Sequence, residues 1–118
     1  FYNWEENSVA VQSGRGYTRN RMIKPEFAVP GVNVTGAVPG GTFTERSGSS
    51  AASAIAAGSA ALLLQWIIQD QKSQASSAQV RNILILGTRR IPGNEYPNRQ
   101  WGYGTMDLYH TFEEIRQL

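Results

Sequence analysis

Residues 47–71 constrain the fold of this chain more than any other stretch. They read Ser-Gly-Ser-Ser-Ala-Ala-Ser-Ala-Ile-Ala-Ala-Gly-Ser-Ala-Ala-Leu-Leu-Leu-Gln-Trp-Ile-Ile-Gln-Asp-Gln. No proline interrupts the run, and alanine has the best intrinsic helix propensity. One long helix to about Gln71 is expected. Small residues, from Ala51 and Ala52 through Ala56, Ala57 and Gly58 to Ala61, cover every helical face. A helix without a polar face is central and packed on several sides. Bulk arrives only at its far end, with Leu62, Leu63, Leu64, Trp66, Ile67 and Ile68. A membrane span wants about 20 predominantly apolar residues. Ser53, Gly58, Ser59 and Gln65 interrupt this one, so a buried helix is expected and no membrane partner.

Short extended segments come before this helix and amphipathic helices after it. Ser8–Gln12, Glu26–Val29, Val32–Val38 and Thr42–Arg46 read as strands, separated by Pro30-Gly31 and Pro39-Gly40-Gly41. Lys72–Ser76 is a polar link, and Ser76 or Ser77 can cap a second helix carrying Val80, Ile83 and Leu84. Gly87 stops it. Thr88–Gln100 is a loop, and Gly102-Tyr103-Gly104 is a tight turn. Asp107–Leu118 reads as a terminal helix with Leu108, Phe112 and Ile115 on one face. Strands followed by a buried helix and two more helices predict an α/β protein with a largely parallel sheet.

Several function classes drop out. The 118 residues contain no cysteine and one histidine, which excludes a disulfide scaffold, a thiol nucleophile and a His-rich metal site. No metal and no cofactor are expected. Eleven Lys and Arg against nine Asp and Glu leave a net charge of +2. The one local basic cluster, Arg15, Arg19, Arg21 and Lys24, lies in a Gly- and Asn-containing loop and is sparser than the dense stripe with interleaved stacking aromatics that nucleic acid requires. That is a solvated loop and not a nucleic-acid footprint. Gly14-Arg15-Gly16 and Gly40-Gly41 open no helix with a phosphate-binding lysine. The sequon Asn33-Val34-Thr35 falls in an expected strand and reads as chance.

The chemically loaded spot is Gly48-Ser49-Ser50-Ala51-Ala52. A serine in the first turn of a helix meets the partial positive charge and the unpaired N–H groups of the helix N-terminus. Those features suit an oxyanion formed beside the serine's own N–H. The plainer alternative is that Ser47, Ser49 or Ser50 is an N-cap.

Longer motifs bear on that choice. Ser13-Gly14-Arg15-Gly16-Tyr17-Thr18, Lys24-Pro25-Glu26-Phe27-Ala28-Val29-Pro30-Gly31-Val32-Asn33-Val34, and Gly48-Ser49-Ser50-Ala51-Ala52-Ser53-Ala54-Ile55-Ala56-Ala57-Gly58 follow one another, and Gly102-Tyr103-Gly104 with Asp107 closes the series. In this order they resemble the motifs of subtilisin-like serine proteases, the subtilases. Ala37–Phe43, Leu64-Gln65-Trp66 and Tyr96-Pro97-Asn98 look like the clostridial-type members, which include germination-associated Csp proteases and pseudoproteases.

The resemblance implies the C-terminal portion of a three-layer α/β/α fold, with residues 1–118 as a single partial domain. It implies Ser50 as nucleophile, with Ser47, Gly48 and Ser49 in the substrate-binding loop around it. It implies a polypeptide substrate and a bacterial source, secreted or spore-associated. Three positions depart from the family motif: Ser49 stands for Thr, Ala54 for Pro and Ile55 for His. The family's triad runs Asp, His, Ser along the chain, yet no histidine precedes Ser50, and the lone His110 lies downstream. The family's oxyanion asparagine is also expected upstream. A serine hydroxyl without an adjacent base is a poor nucleophile, so this chain alone is expected to be inactive. It is expected to need the N-terminal part of the catalytic domain as its partner, and alone to form a homodimer. The other implied function is that of a catalytically dead pseudoprotease acting as a binding or signalling module.

Overall fold

The computed structural model of this chain describes residues 1–116. The strands are β1 (Tyr2–Asn3), β2 (Ser8–Val9), β3 (Val34–Val38) and β4 (Thr42–Arg46). The helices are α1 (Ser49–Gln65), α2 (Ser77–Leu86) and α3 (Leu108–Arg116), and a π-helical turn, Trp66–Asp70, continues α1. Strands precede a long helix and two shorter ones, as expected for an α/β protein. Gln117 and Leu118, the end of the expected terminal helix, lie outside the described residues.

The strands pair differently from a largely parallel sheet. β1 pairs with β2 antiparallel, and β3 with β4 antiparallel, Val34 opposite Arg46 and Val38 opposite Thr42. Parallel contact is confined to single bridges, Tyr2 to Pro30 and Ala28 to Thr105. The connections explain this. Pro39-Gly40-Gly41 reverses the chain at once, with Gly40 and Gly41 at φ 96° and 76°, and only antiparallel neighbours can be joined so tightly. The expected strand Glu26–Val29 forms no ladder, because its bridges change partner and sense from one residue to the next, Phe27 antiparallel to Gly102 and Ala28 parallel to Thr105. It is instead a central strap. Tyr2 N–H donates to Val29 and Gly31 N–H to Tyr2 on one side. Tyr103 donates to Glu26, Ala28 to Gly104 and Met106 to Ala28 on the other.

The main core gathers Val29, Ala52, Leu63, Ile67, Val80, Leu84 and Met106, with Leu108, Phe112 and Ile115 packed against it. Trp66 meets Phe112 edge to face at 5.9 Å between ring centres. A smaller cluster joins Tyr2, Ala28 and Trp101. Of the two candidate caps for α2, Ser76 is the one used. Its hydroxyl accepts the Gln79 N–H at 3.2 Å, and the Gln79 side chain accepts the Ser76 N–H at 2.7 Å. Gly87 ends α2 against the fully buried Thr111, so closely that a Cβ there would sit 1.9 Å from the Thr111 hydroxyl. Asp107 opens α3 by accepting the His110 N–H at 2.8 Å, and it pairs with Arg89.

The long helix is less buried than its composition predicts. Within α1 only Ala52 and Leu63 are buried, while Ser53, Ala54, Ala57, Gly58, Ala61 and Leu62 are exposed. The described residues cover one side of it, and small side chains project too little to reach further neighbours. Ser49–Asp70 is long and apolar enough, at a mean hydropathy of 1.7, to cross a bilayer by length and composition alone. Little of that stretch is buried by the rest of the described residues. The whole chain exposes 8025 Å², against about 6,300 Å² for a folded monomer of 13.0 kDa. Its radius of gyration is 15.2 Å, where a compact domain of this length has about 13.5 Å.

Candidate active site

The site begins where β4 gives way to α1. Gly48 precedes the helix at φ 138° and ψ 174°, a backbone conformation open to glycine. No side chain caps α1, so none of Ser47, Ser49 and Ser50 serves as its N-cap. Ser50 is the second residue of the helix. Ser47, Ser49 and Ser50 are exposed and Gly48 is half-buried. The first intrahelical bond runs from Ala52 N–H to Gly48 at 3.2 Å, which leaves the N–H groups of Ser49, Ser50 and Ala51 without helical acceptors. Those groups and the helix dipole make the space beside Ser50 favourable for negative charge.

Two contacts fix this corner. Gly48 N–H donates to the Gly31 carbonyl at 2.7 Å. The Ser47 hydroxyl accepts the Asn33 N–H at 2.8 Å and lies 3.4 Å from the Asn33 side-chain oxygen. Asn33 itself sits in the left-handed region at φ 52°. The Ser47 hydroxyl is thus held against Asn33. Gly31 is held to glycine by contact, since a Cβ there would lie 2.9 Å from the Gly48 carbonyl. Motif reading meets Asn33 only within the Lys24–Val34 series and as a chance sequon, and does not foresee its contact with Ser47. Its partner lies 14 residues on, and the sole local signal is an Asn tolerant of positive φ in a Gly-Val-Asn stretch.

Beside Ser49 opens a cleft of about 500 Å³, bounded by Ser13, Arg15, Gly16, Tyr17, Thr18 and Lys24, with Phe1, Gly14 and Pro25. The lone histidine and the acids that precede Ser50 lie in other parts of the fold. His110 faces the Gly87 carbonyl with Nδ1 at 2.9 Å and Glu114 with Nε2 at 3.2 Å. Glu26 pairs with Lys24. Glu45 lies on exposed β4, opposite Thr35. Glu5 and Glu6 are exposed in the turn after β1. None of these is brought to Ser50. Burial works to raise the Asp107 carboxyl, but the His110 N–H and the Arg89 guanidinium outweigh it and hold it below its usual value. Burial, and secondarily the Asp107 charge, push the Tyr2 hydroxyl up. Both groups brace the fold away from the serine.

Comparison with known proteins covers nearly all of the chain. The model of the subtilase family of peptidases matches residues 2–104. The membrane-bound transcription factor site-1 proteases of Mus musculus and Homo sapiens are 30% and 29% identical over 115 residues, 92% of this chain. The chain spans only 10% of those proteins. The CspB protease of Clostridium perfringens superposes with a TM-score of 0.90 at 35% identity, over 98% of this chain and 25% of that one. The prenylagaramide maturation protease PagA superposes with a TM-score of 0.60 at 27% identity, over 74% of this chain and 32% of that one.

Proposed function

The chain belongs to the subtilase family of serine peptidases, and from that premise we propose that it forms the nucleophile-bearing part of a serine endopeptidase, with Ser50 as the nucleophile. The observation that carries this is the placement of Ser50: exposed, in the first turn of α1, beside amides free of helical acceptors, and inside the family's motif order. In the proposed reaction the Ser50 hydroxyl oxygen attacks the scissile carbonyl while a general base takes its proton. The Ser50 N–H holds the oxyanion. Collapse of the tetrahedral intermediate expels the amine, which takes up that proton, and leaves an acyl-enzyme that water then hydrolyses. Ser47, Gly48 and Ser49 line the backbone approach.

The base, its orienting carboxylate and the side-chain oxyanion donor are proposed to come from residues outside this sequence, because His110 is committed to α3 and Gly87. On this proposal residues 1–118 are one part of a catalytic domain and hydrolyse nothing alone. The exposed face of α1 and the surface of about 1,700 Å² beyond that of a compact monomer support a large interface with the remainder of that domain. In its absence a second copy would cover the same face. A standard interface buries about 800 Å² per partner, so either occupant is large enough.

One observation favours a second function, that of a pseudoprotease which binds polypeptides without cleaving them. Ala54 and Ile55 stand where the family motif has Pro and His, one turn beyond the nucleophile. A fluorophosphonate probe separates the two. The longer polypeptide carrying this chain should be labelled at Ser50, Ser50→Ala should abolish labelling, and the isolated chain should not react. A folded longer protein that resists the probe is a pseudoprotease.

A further inference from the structure

The cleft beside Ser49 carries a charge pattern that the reaction itself does not require. We propose that it is a substrate subsite selective for an acidic side chain next to the scissile bond, with Arg15 as the residue that reads it. The assignment rests on Ser50 being the reacting residue, since the cleft is reached from its neighbour Ser49.

Arg15 and Lys24 both line the cleft, and no Asp or Glu does. Lys24 is paired with Glu26. Arg15, and Arg19 and Arg21 on the same loop, take part in none of the ion pairs among the described residues. The cleft therefore presents an unpaired guanidinium, that of Arg15, at one wall. A guanidinium offers paired N–H donors that match a carboxylate.

The wall is also held in place. Gly16 packs backbone to backbone against Lys24, so tightly that a Cβ would fall 1.6 Å from the Lys24 carbonyl oxygen. Gly16 N–H donates to the Arg99 carbonyl at 2.9 Å, and Arg99 Nη1 donates to the Gly16 carbonyl at 3.0 Å. The Arg99 guanidinium lies 4.7 Å above the Tyr17 ring, whose hydroxyl donates to the Pro97 carbonyl at 3.2 Å. The next turn is closed by Met22 N–H on the Thr18 hydroxyl at 2.9 Å. Arg99 thus fixes the backbone that follows Arg15, and a wall set before any peptide arrives lowers the ordering cost of binding.

The test uses the full-length polypeptide that carries this chain, with Ser50→Ala so that peptides are bound and not consumed. Fluorescent decapeptides carry Glu, Gln or Lys at each position in turn, and binding is read by anisotropy. At one position Glu should bind about fivefold more tightly than Gln, within the range of exposed ion pairs. The gap should shrink in 1 M salt, where the screening length falls to about 3 Å. Arg15→Ala should erase it and Arg15→Glu should invert it in favour of Lys. Equal affinity for Glu and Gln at every position, binding of no peptide, or a gap that survives Arg15→Glu overturns the assignment. Fluorophosphonate labelling of the unsubstituted protein reports separately on Ser50. Charge selectivity without labelling retains the subsite and removes the protease function, and labelling without selectivity does the reverse.

Discussion

Adding one methyl group at Gly87 should drive α2 and α3 apart. An ideal Cβ there would lie 1.9 Å from the Thr111 hydroxyl oxygen, 2.4 Å from its Cα and 2.5 Å from its Cβ. Ordinary contact begins near 3.4 Å, so α3 must retreat by roughly 1–1.5 Å in an interior packed like a crystal. Thr111 is fully buried and has no free space behind it to yield. Overpacking of this kind costs about 1–3 kcal/mol. The retreat also stretches the contact from His110 Nδ1 to the Gly87 carbonyl, now 2.9 Å, worth about 1 kcal/mol. Backbone strain adds nothing, because Gly87 sits at φ −86°. Gly87→Ala should therefore lose about 2–4 kcal/mol, which at a typical slope moves the urea midpoint down by about 1–2 M. The assay is equilibrium unfolding followed by circular dichroism. Thr111→Ala should not rescue the variant, since the Cα and Cβ contacts remain. A Gly87→Ala midpoint within about 0.3 M of the parent would mean that the two helices do not approach as described.

Three further outcomes follow from the same packing. Leu63→Ala, at the fully buried centre of the main core, should cost about 3–5 kcal/mol, read from the same urea curves. Asp107 is held below its usual value, so its contribution is present above the ordinary carboxylate range and is lost as pH falls through the depressed value. Asp107→Asn should flatten the acid limb of stability against pH below about 4 and leave the neutral plateau lower, as measured by midpoint against pH. Gly58→Ala meets nothing within 4 Å in this chain and should stabilise it alone by about 0.5–1 kcal/mol. In the longer protein the same change should be neutral or destabilising if the exposed face of α1 is covered there, and denaturation of both forms compares them directly.

Much of the candidate site was legible because its signals are local. Gly48-Ser49-Ser50 ahead of an unbroken alanine run defines a glycine entry, a helix start and a serine in its first turn, whatever the rest of the chain does. Motif order along the chain then identified the family, and the serine pair Ser76-Ser77 marked the start of α2. What failed was anything that depends on neighbours. An apolar helix reads as buried, but burial of α1 depends on what stands beside it, and here one side is open. Glu26–Val29 reads as a strand by residue type, yet it meets its neighbours only at single bridges, Phe27 antiparallel to Gly102 and Ala28 parallel to Thr105.

The sequence by itself determined where the helices start and that Ser50 stands in the first turn of the longest one within the family's motif order, because these depend on residue type and short spacing. The tertiary structure alone decided that Arg99 meets Gly16 and Tyr17, and that Gly87 leaves room for Thr111. Each of those joins segments far apart along the chain, and no local energy term records which distant partner will fill a given space.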